Sequence, residues 1–250
     1  MATKHGYGSD PGLTARMMTT MFLLFALYGV VVAVLLLVHV PWIPVLVIAL
    51  VVLGVQYFAS DKIALFSMKA RIVTPEQAPQ LHAVVDRLCA LANMRKPKVA
   101  IADTDIPNAF ATGRNQKHSV VCATTGILRR LDEPELEAVL SHELSHVAHR
   151  DVAVMTIASF LGIIAGFVTR AFYWADMFGI GDDRNGYGAL FELAGLLFSA
   201  VFWFISFLLI RALSRYRELA ADRSGAILIG QPRLLANALV KVTGEMARVP

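Results

Sequence analysis

Two patterns alternate along this chain. Met18 to Val38 and Trp42 to Phe58 are uninterrupted apolar runs separated only by His39-Val40-Pro41. Val152 to about Trp174 and Leu190 to Leu213 are two more. About 20 apolar residues in a helix cross about 30 Å of hydrocarbon. The pattern therefore predicts a transmembrane hairpin at 18–58, a third span at 152–174 and a fourth at 190–213. The first run resembles the apolar core of a signal peptide but is too long, and no Ala-x-Ala cleavage site follows. It reads as a retained anchor. Residues 1–17 form a polar, Gly-rich leader, and 175–189 an external loop containing Asp176, Asp182, Asp183 and Arg184. Gly162 and Gly166 have the spacing of a helix-packing pair, which contact between spans of one chain explains as well as a dimer.

Between 59 and 151 the pattern becomes that of a water-soluble domain. Leu81, Val84, Val85, Leu88, Leu91 and Ala92 recur at helical spacing within Glu76–Asn93. Pro97 to Ile101, Asn108 to Gly113 and His118 to Thr124 read as strands, the last two joined by a polar turn through Arg114 to Lys117. A further helix starts at Asp132, an N-cap with Glu135 three residues on and Pro134 in the first turn. Its Leu136, Leu140, Leu144 and Val147 make a core stripe. The opposite side, with His142 and His146, is expected to face outward. After the fourth run, residues 214–250 read as a cytosolic helical segment, broken at Gln231-Pro232.

Composition agrees with this reading. Hydrophobic residues make up 56% and charged residues 17%, and mean hydropathy is +0.59, well above a soluble domain. The net charge of +4 comes without a basic stripe interleaved with aromatics, so nucleic acid is not an expected partner. Lys62, Lys69, Arg71, Arg150, Arg211, Arg215, Arg217 and Arg223 flank the runs on one side, whereas the first short loop has no Lys or Arg. The positive-inside rule then sets both termini and the 59–151 domain in the cytoplasm, beside membrane lipids. Cys89 and Cys122 fall in that compartment and read as reduced, buried thiols.

The chemistry lies in Ser141-His142-Glu143-Leu144-Ser145-His146. Residues four apart share a helix face, so His142 and His146 can offer two imidazole nitrogens to one metal ion. Glu143 is rotated off that line and free to handle a water proton. His149, a turn further on, reads as a groove residue, and Asp151 as a structural residue where the third run begins. A catalytic zinc ion takes three protein ligands. Glu218, in Ser214-Arg-Tyr-Arg-Glu218-Leu-Ala-Ala-Asp222, is the candidate third, and Asp222 a candidate hydrogen-bond acceptor for a liganding imidazole. Depth supports this. His146 lies six residues before the third run, about 9 Å at 1.5 Å per residue. Glu218 lies five residues after the fourth, about 7–8 Å by the same rise. The fold class expected is an α-helical membrane protein: four transmembrane helices and a small α+β, zincin-like cytosolic domain.

These residues resemble the HtpX-type membrane zinc endopeptidases, relatives of the CAAX prenyl endopeptidases. The resemblance runs through the two N-terminal runs, Asn108-Ala-Phe-Ala-Thr-Gly113, the His-Glu-Leu-Ser-His helix up to Asp151, two further runs, and Arg217-Glu218 followed by Ala221-Asp222. It implies one zinc ion per chain, held by His142, His146 and Glu218, with Glu143 as catalytic base. It further implies an edge strand, Asn108, Ala109, Phe110, Ala111 and Thr112, that pairs with an extended polypeptide substrate. Arg215 or Arg217 is expected to stabilise the oxyanion or to anchor to anionic headgroups. The role it implies is removal of damaged or misfolded membrane proteins at the cytosolic face of the inner membrane. Family members continue beyond Pro250 with a segment closing the cytosolic domain, so either a truncated or an unusually short form is expected. Two rivals exist. A site-2-type intramembrane protease would bury the motif in an apolar span, against the charged Asp132-Glu-Pro-Glu-Leu-Glu approach; a non-catalytic scaffold would lack a ligand, and none is missing.

Overall fold

A computed structural model describes residues 10–37, 42–158 and 188–246. The chain divides into two compact units, one of Met1–Leu13, Gln56–Val154 and Arg217–Pro250, the other of Thr14–Val55 and Met155–Tyr216.

The second unit takes its helices from α1 (Pro11–Leu37), the start of α2 (Trp42–Ser67) and the start of α7 (Gly188–Ile229). Their outward surfaces are apolar: Phe22 is 70% exposed, Val51 59%, Leu197 59% and Trp203 55%. That inverts the ordinary arrangement of a water-soluble surface. Among the described residues one stretch, Leu50–Ser67, is long and apolar enough to cross a membrane. The third run beyond residue 158, the loop at 175–187 and the Gly162/Gly166 pair lie outside the described residues.

Two boundaries of the N-terminal hairpin differ from expectation, and α7 runs unbroken through the expected end of the fourth span at Leu213. α1 starts at Pro11, inside the leader, because Asp10 accepts from Leu13 N at 3.0 Å and Pro is tolerated at the first helical position. α2 runs past Phe58 to Ser67. Asp61 and Lys62 end the apolar run without breaking the helix, and Leu65 and Met68 beyond them pack against the sheet.

That sheet is the centre of the first unit. Its four strands, β1 (Arg71–Ile72), β2 (Lys98–Ala102), β3 (Ala109–Asn115) and β4 (His118–Thr124), lie in the order β1-β2-β4-β3. β2 and β4 are parallel, and β3 is antiparallel to β4 at the edge. β4 is buried on both faces, so its side chains serve two cores by alternation. Val121 and Ala123 face the larger core, with α3 (Pro79–Ala92), α5 (Glu133–Ala148) and α8 (Pro232–Met246); Val120 and Cys122 face a smaller one under Leu65, Met68 and Phe110. Two short elements were not foreseen, β1 and α4 (Thr125–Arg130). Thr124 caps α4 by accepting from Ile127 N at 3.2 Å.

α5 is specified as its sequence indicates. Asp132 accepts from Glu135 N at 2.8 Å and Glu135 accepts from Asp132 N at 3.1 Å, a complete capping box. Leu136, Leu140, Leu144 and Val147 are buried. The expected direct continuation into the third run is not found. Arg150 takes a left-handed φ of 57°, and a new helix, α6, begins at Asp151 (described part 151–158). The rise count that set His146 about 9 Å from the third span assumed one unbroken helix. The break removes that count and turns Asp151 back toward α5.

Candidate metal centre

His142 and His146 leave α5 one turn apart, with ring centroids separated by 5.0 Å and planes at 84°. Their Nε2 atoms converge to 3.3 Å. Glu218 comes from α7, far away in sequence, and brings Oε2 to 3.4 Å from His142 Nε2 and 3.8 Å from His146 Nε2. These three are the described group able to share one metal ion. A tetrahedral zinc with bonds of about 2.0–2.1 Å spaces its ligand atoms about 3.3 Å apart. The donors present therefore fit, in both spacing and chemistry.

The electrostatics fit as well. Burial works against charge on His142, yet Asp222, Glu218 and Glu143 outweigh it and raise the imidazole to about 10. The pocket is built to face positive charge. Glu218 is held below the usual carboxylate range, first by His142, with burial opposing. Glu143 goes the other way: burial pushes its carboxyl up, against the pull of His142 and His146. Two carboxylates in one site thus acquire different basicity.

Each imidazole has a carboxylate behind it. Asp222 Oδ1 lies 2.9 Å from His142 Nδ1, at ion-pair distance but without hydrogen-bond alignment. Asp151 Oδ2 lies 2.5 Å from His146 Nδ1 and 2.8 Å from Arg217 Nη2. Asp151, expected to be structural, thus also reaches the site. The available signal was the His-x-x-x-x-Asp spacing across a helix end, which works only because Arg150 reverses the backbone. Burial raises Asp151, but the hydrogen bonds from His146 and Arg217 together bring its carboxyl below the ordinary value.

Arg217 and Arg215 were candidates for stabilising an oxyanion. Arg217 is instead buried and committed to Asp151. Arg215 is exposed and makes no ion pair among the described residues. His149 caps α5 with its backbone, donating to Ser145 O at 2.9 Å, and is not in the metal-holding group. The histidine face is not open as expected, since His142 is 6% exposed. Gly225 explains the cover. It shares a face of α7 with Glu218 and Asp222, and a Cβ there would meet Ser141 Oγ at 3.0 Å and His142 N at 3.1 Å. Any larger residue would push α7 and α5 apart by a few tenths of an ångström. Its spacing, three residues after Asp222, was the missed clue.

Glu143 sits between the donors and the sheet edge. Ala111 N donates to Glu143 Oε2 at 3.3 Å, so that N–H points away from β4. Main-chain groups alternate along an antiparallel strand, which turns Ala109 and Gly113 outward too. Asn108 is engaged with Thr124 by both its N–H and C=O, Phe110 packs in the smaller core, and Thr112 pairs with Val120.

Zinc suits this nitrogen and oxygen donor set, and a spare carboxylate beside it makes the class that of the zinc metalloendopeptidases. Sequence comparison narrows the class: the chain belongs to Peptidase family M48, whose profile matches residues 75–248. It is 55% identical over 244 residues to Protease HtpX homolog 1 of Streptomyces coelicolor, covering 98% of this chain and 80% of that protein. It is 54% identical over 244 residues to a Protease HtpX homolog of Moorella thermoacetica (97% and 81% covered) and 49% identical over 248 residues to Protease HtpX homolog 2 of Methanosarcina mazei (99% and 83%). The zinc protease is thus of the HtpX type, and its substrates are polypeptides.

Proposed function

We propose that this is a membrane-embedded endopeptidase that cuts misfolded or damaged membrane proteins at the cytosolic face. The observation carrying this is Glu143, held by Ala111 N–H of the edge strand β3 and beside a three-donor metal group.

His142, His146 and Glu218 would hold the zinc, and Asp222 and Asp151 would fix the two imidazoles through Nδ1. The metal, when bound, supplies a Lewis acid that acidifies water and polarises the scissile carbonyl. Glu143 takes the water's proton and passes it to the leaving amine; burial pushes its carboxyl up and makes it a stronger base than a solvated glutamate. Substrate adds as a strand on β3, accepting from Ala109 N–H and donating to the outward carbonyls of Ala109 and Ala111, while Ala111 N–H stays on Glu143.

The exposed apolar surfaces of α1, α2 and α7 support a membrane location, and the apolar run at 152–174 would supply the remaining span of four. Lys62, Lys69, Arg71, Arg211 and Arg223 support the cytosolic side. An intramembrane site is disfavoured by α5 itself, which packs on a sheet and begins with Glu133 and Glu137 paired to Arg87 at 3.0 and 2.8 Å. The test is Glu143→Gln with zinc content measured alongside cleavage of an unfolded membrane protein. Zinc should stay and hydrolysis should go; retained hydrolysis would remove Glu143 as the base.

A further inference from the structure

β3 joins the site to α2. Ala111, near its middle, holds Glu143. Arg114, near its far end, accepts from Tyr57 Oη at 3.5 Å through its carbonyl and lays its guanidinium 5.2 Å over the Phe58 ring. Tyr57 and Phe58, packed edge to face at 5.2 Å, belong to the apolar stretch Leu50–Ser67. They stand just before its first charges, Asp61 and Lys62. An aromatic pair there, with an arginine over it, is the composition of a bilayer–water boundary. One face of α2 is apolar on both sides of that point: Val55 and Phe58 are 57% and 61% exposed, and Ile63 and Phe66 50% and 86%. Arg114 and the end of β3 therefore lie level with the aromatic pair on α2.

Resting on the membrane reading above, the geometry points to a ruler: the enzyme cuts a polypeptide within about three to five residues of where its own membrane segment ends. Three residues of strand separate Arg114 from Ala111, about 10 Å at 3.3 Å per residue. A substrate leaving the bilayer beside Arg114 and pairing along Ala111 presents that short segment to Glu143. Its recognition is by main chain and distance, so the substrate class is the juxtamembrane segment of membrane-anchored polypeptides, of little fixed sequence.

The test uses full-length zinc-loaded enzyme in vesicles with a single-span substrate whose tail is one short repeat, so that side-chain preference is uniform. Cut positions are mapped by mass spectrometry. Cuts should cluster about three to five residues past the span, and lengthening the span by three leucines should move them by three. Cuts spread evenly along the tail, or unmoved by the longer span, overturn the ruler. Phe58→Ala should widen the cluster while zinc content and cleavage of a soluble unfolded protein stay unchanged; an unwidened cluster removes the Arg114 anchor. Flotation with the vesicles comes first. A chain that does not float refutes the membrane reading itself, whereas a floating enzyme that cuts at random refutes the ruler alone.

Discussion

His142 and His146 stand one helical turn apart and aim at one point, yet they are held by different means. Behind His146 is Asp151, with a side chain 4% exposed and a second bond to buried Arg217. Behind His142 is Asp222, 48% exposed. A buried carboxylate with its own counter-ion is fixed by the fold; an exposed one is screened by water and costs less to lose. The Asp151 pair does more than orient a ring. It ties the start of α6 to Arg217, the neighbour of Glu218, so one ion pair sets the second imidazole and the register of the third donor together.

The strongest way to break this comparison is at the shared point. His142→Ala and His146→Ala should each abolish stoichiometric zinc, read by metal analysis, and with it peptide hydrolysis. Zinc kept in one and lost in the other would show that the two rings do not hold a single ion. Next is Glu143→Gln, with hydrolysis down by about 10²–10⁴ and zinc affinity nearly unchanged in chelator competition.

The carboxylates sharpen the comparison directly. Asp151→Asn should lower zinc affinity by about 10–100-fold, and Asp222→Asn should sit at or below the bottom of that range. Equal losses would mean that burial is irrelevant. Acid adds a check on sign. Asp151 has a folded pKa below its unfolded value, so the stability it contributes is present above the ordinary aspartate pKa of about 3.9 and is lost only as pH falls through the lower folded value. The destabilisation caused by Asp151→Asn, read from unfolding of the metal-free protein, should therefore be full above that pH and shrink only in stronger acid.

Gly225→Ala acts on the His142 side alone. The added methyl would lie 3.0 Å from Ser141 Oγ, and overpacking of this kind costs about 1–3 kcal/mol. Thermal unfolding should reveal that loss, together with weaker zinc binding. The smallest effect is expected far from both rings. Burial raises Cys89 and Cys122 to about 11, so both thiols should resist alkylation at pH 8 until the protein is denatured. Their contribution to stability is complete below the unfolded thiol pKa and disappears as pH rises toward about 11. Rapid native alkylation would place them at the surface.

How much of this could be read in advance depended on distance along the chain. His142, Glu143 and His146 sit within one turn and a half, where helical geometry alone sets their mutual positions. Asp132 and Glu135 cap that helix by contacts three residues apart. The strands at 98–102, 109–115 and 118–124 were legible because alternation and turn residues are local. Glu218 and Asp222 needed an argument about depth, and part of it rested on an unbroken α5–α6 helix that does not exist.

What the sequence alone determined, then, was the set of parts: apolar runs, an amphipathic helix carrying two imidazoles and a base, and acidic residues at turn spacing further on. Local periodicity and capping are enough for that. The tertiary structure decided which parts meet. The left-handed Arg150 returns Asp151 to His146, Arg217 becomes a buried partner instead of a free cation, Gly225 admits α7 to α5, and the sheet order leaves β3 at the edge. Each is a contact between segments whose separation carries no periodic signal, and only packing in three dimensions selects it.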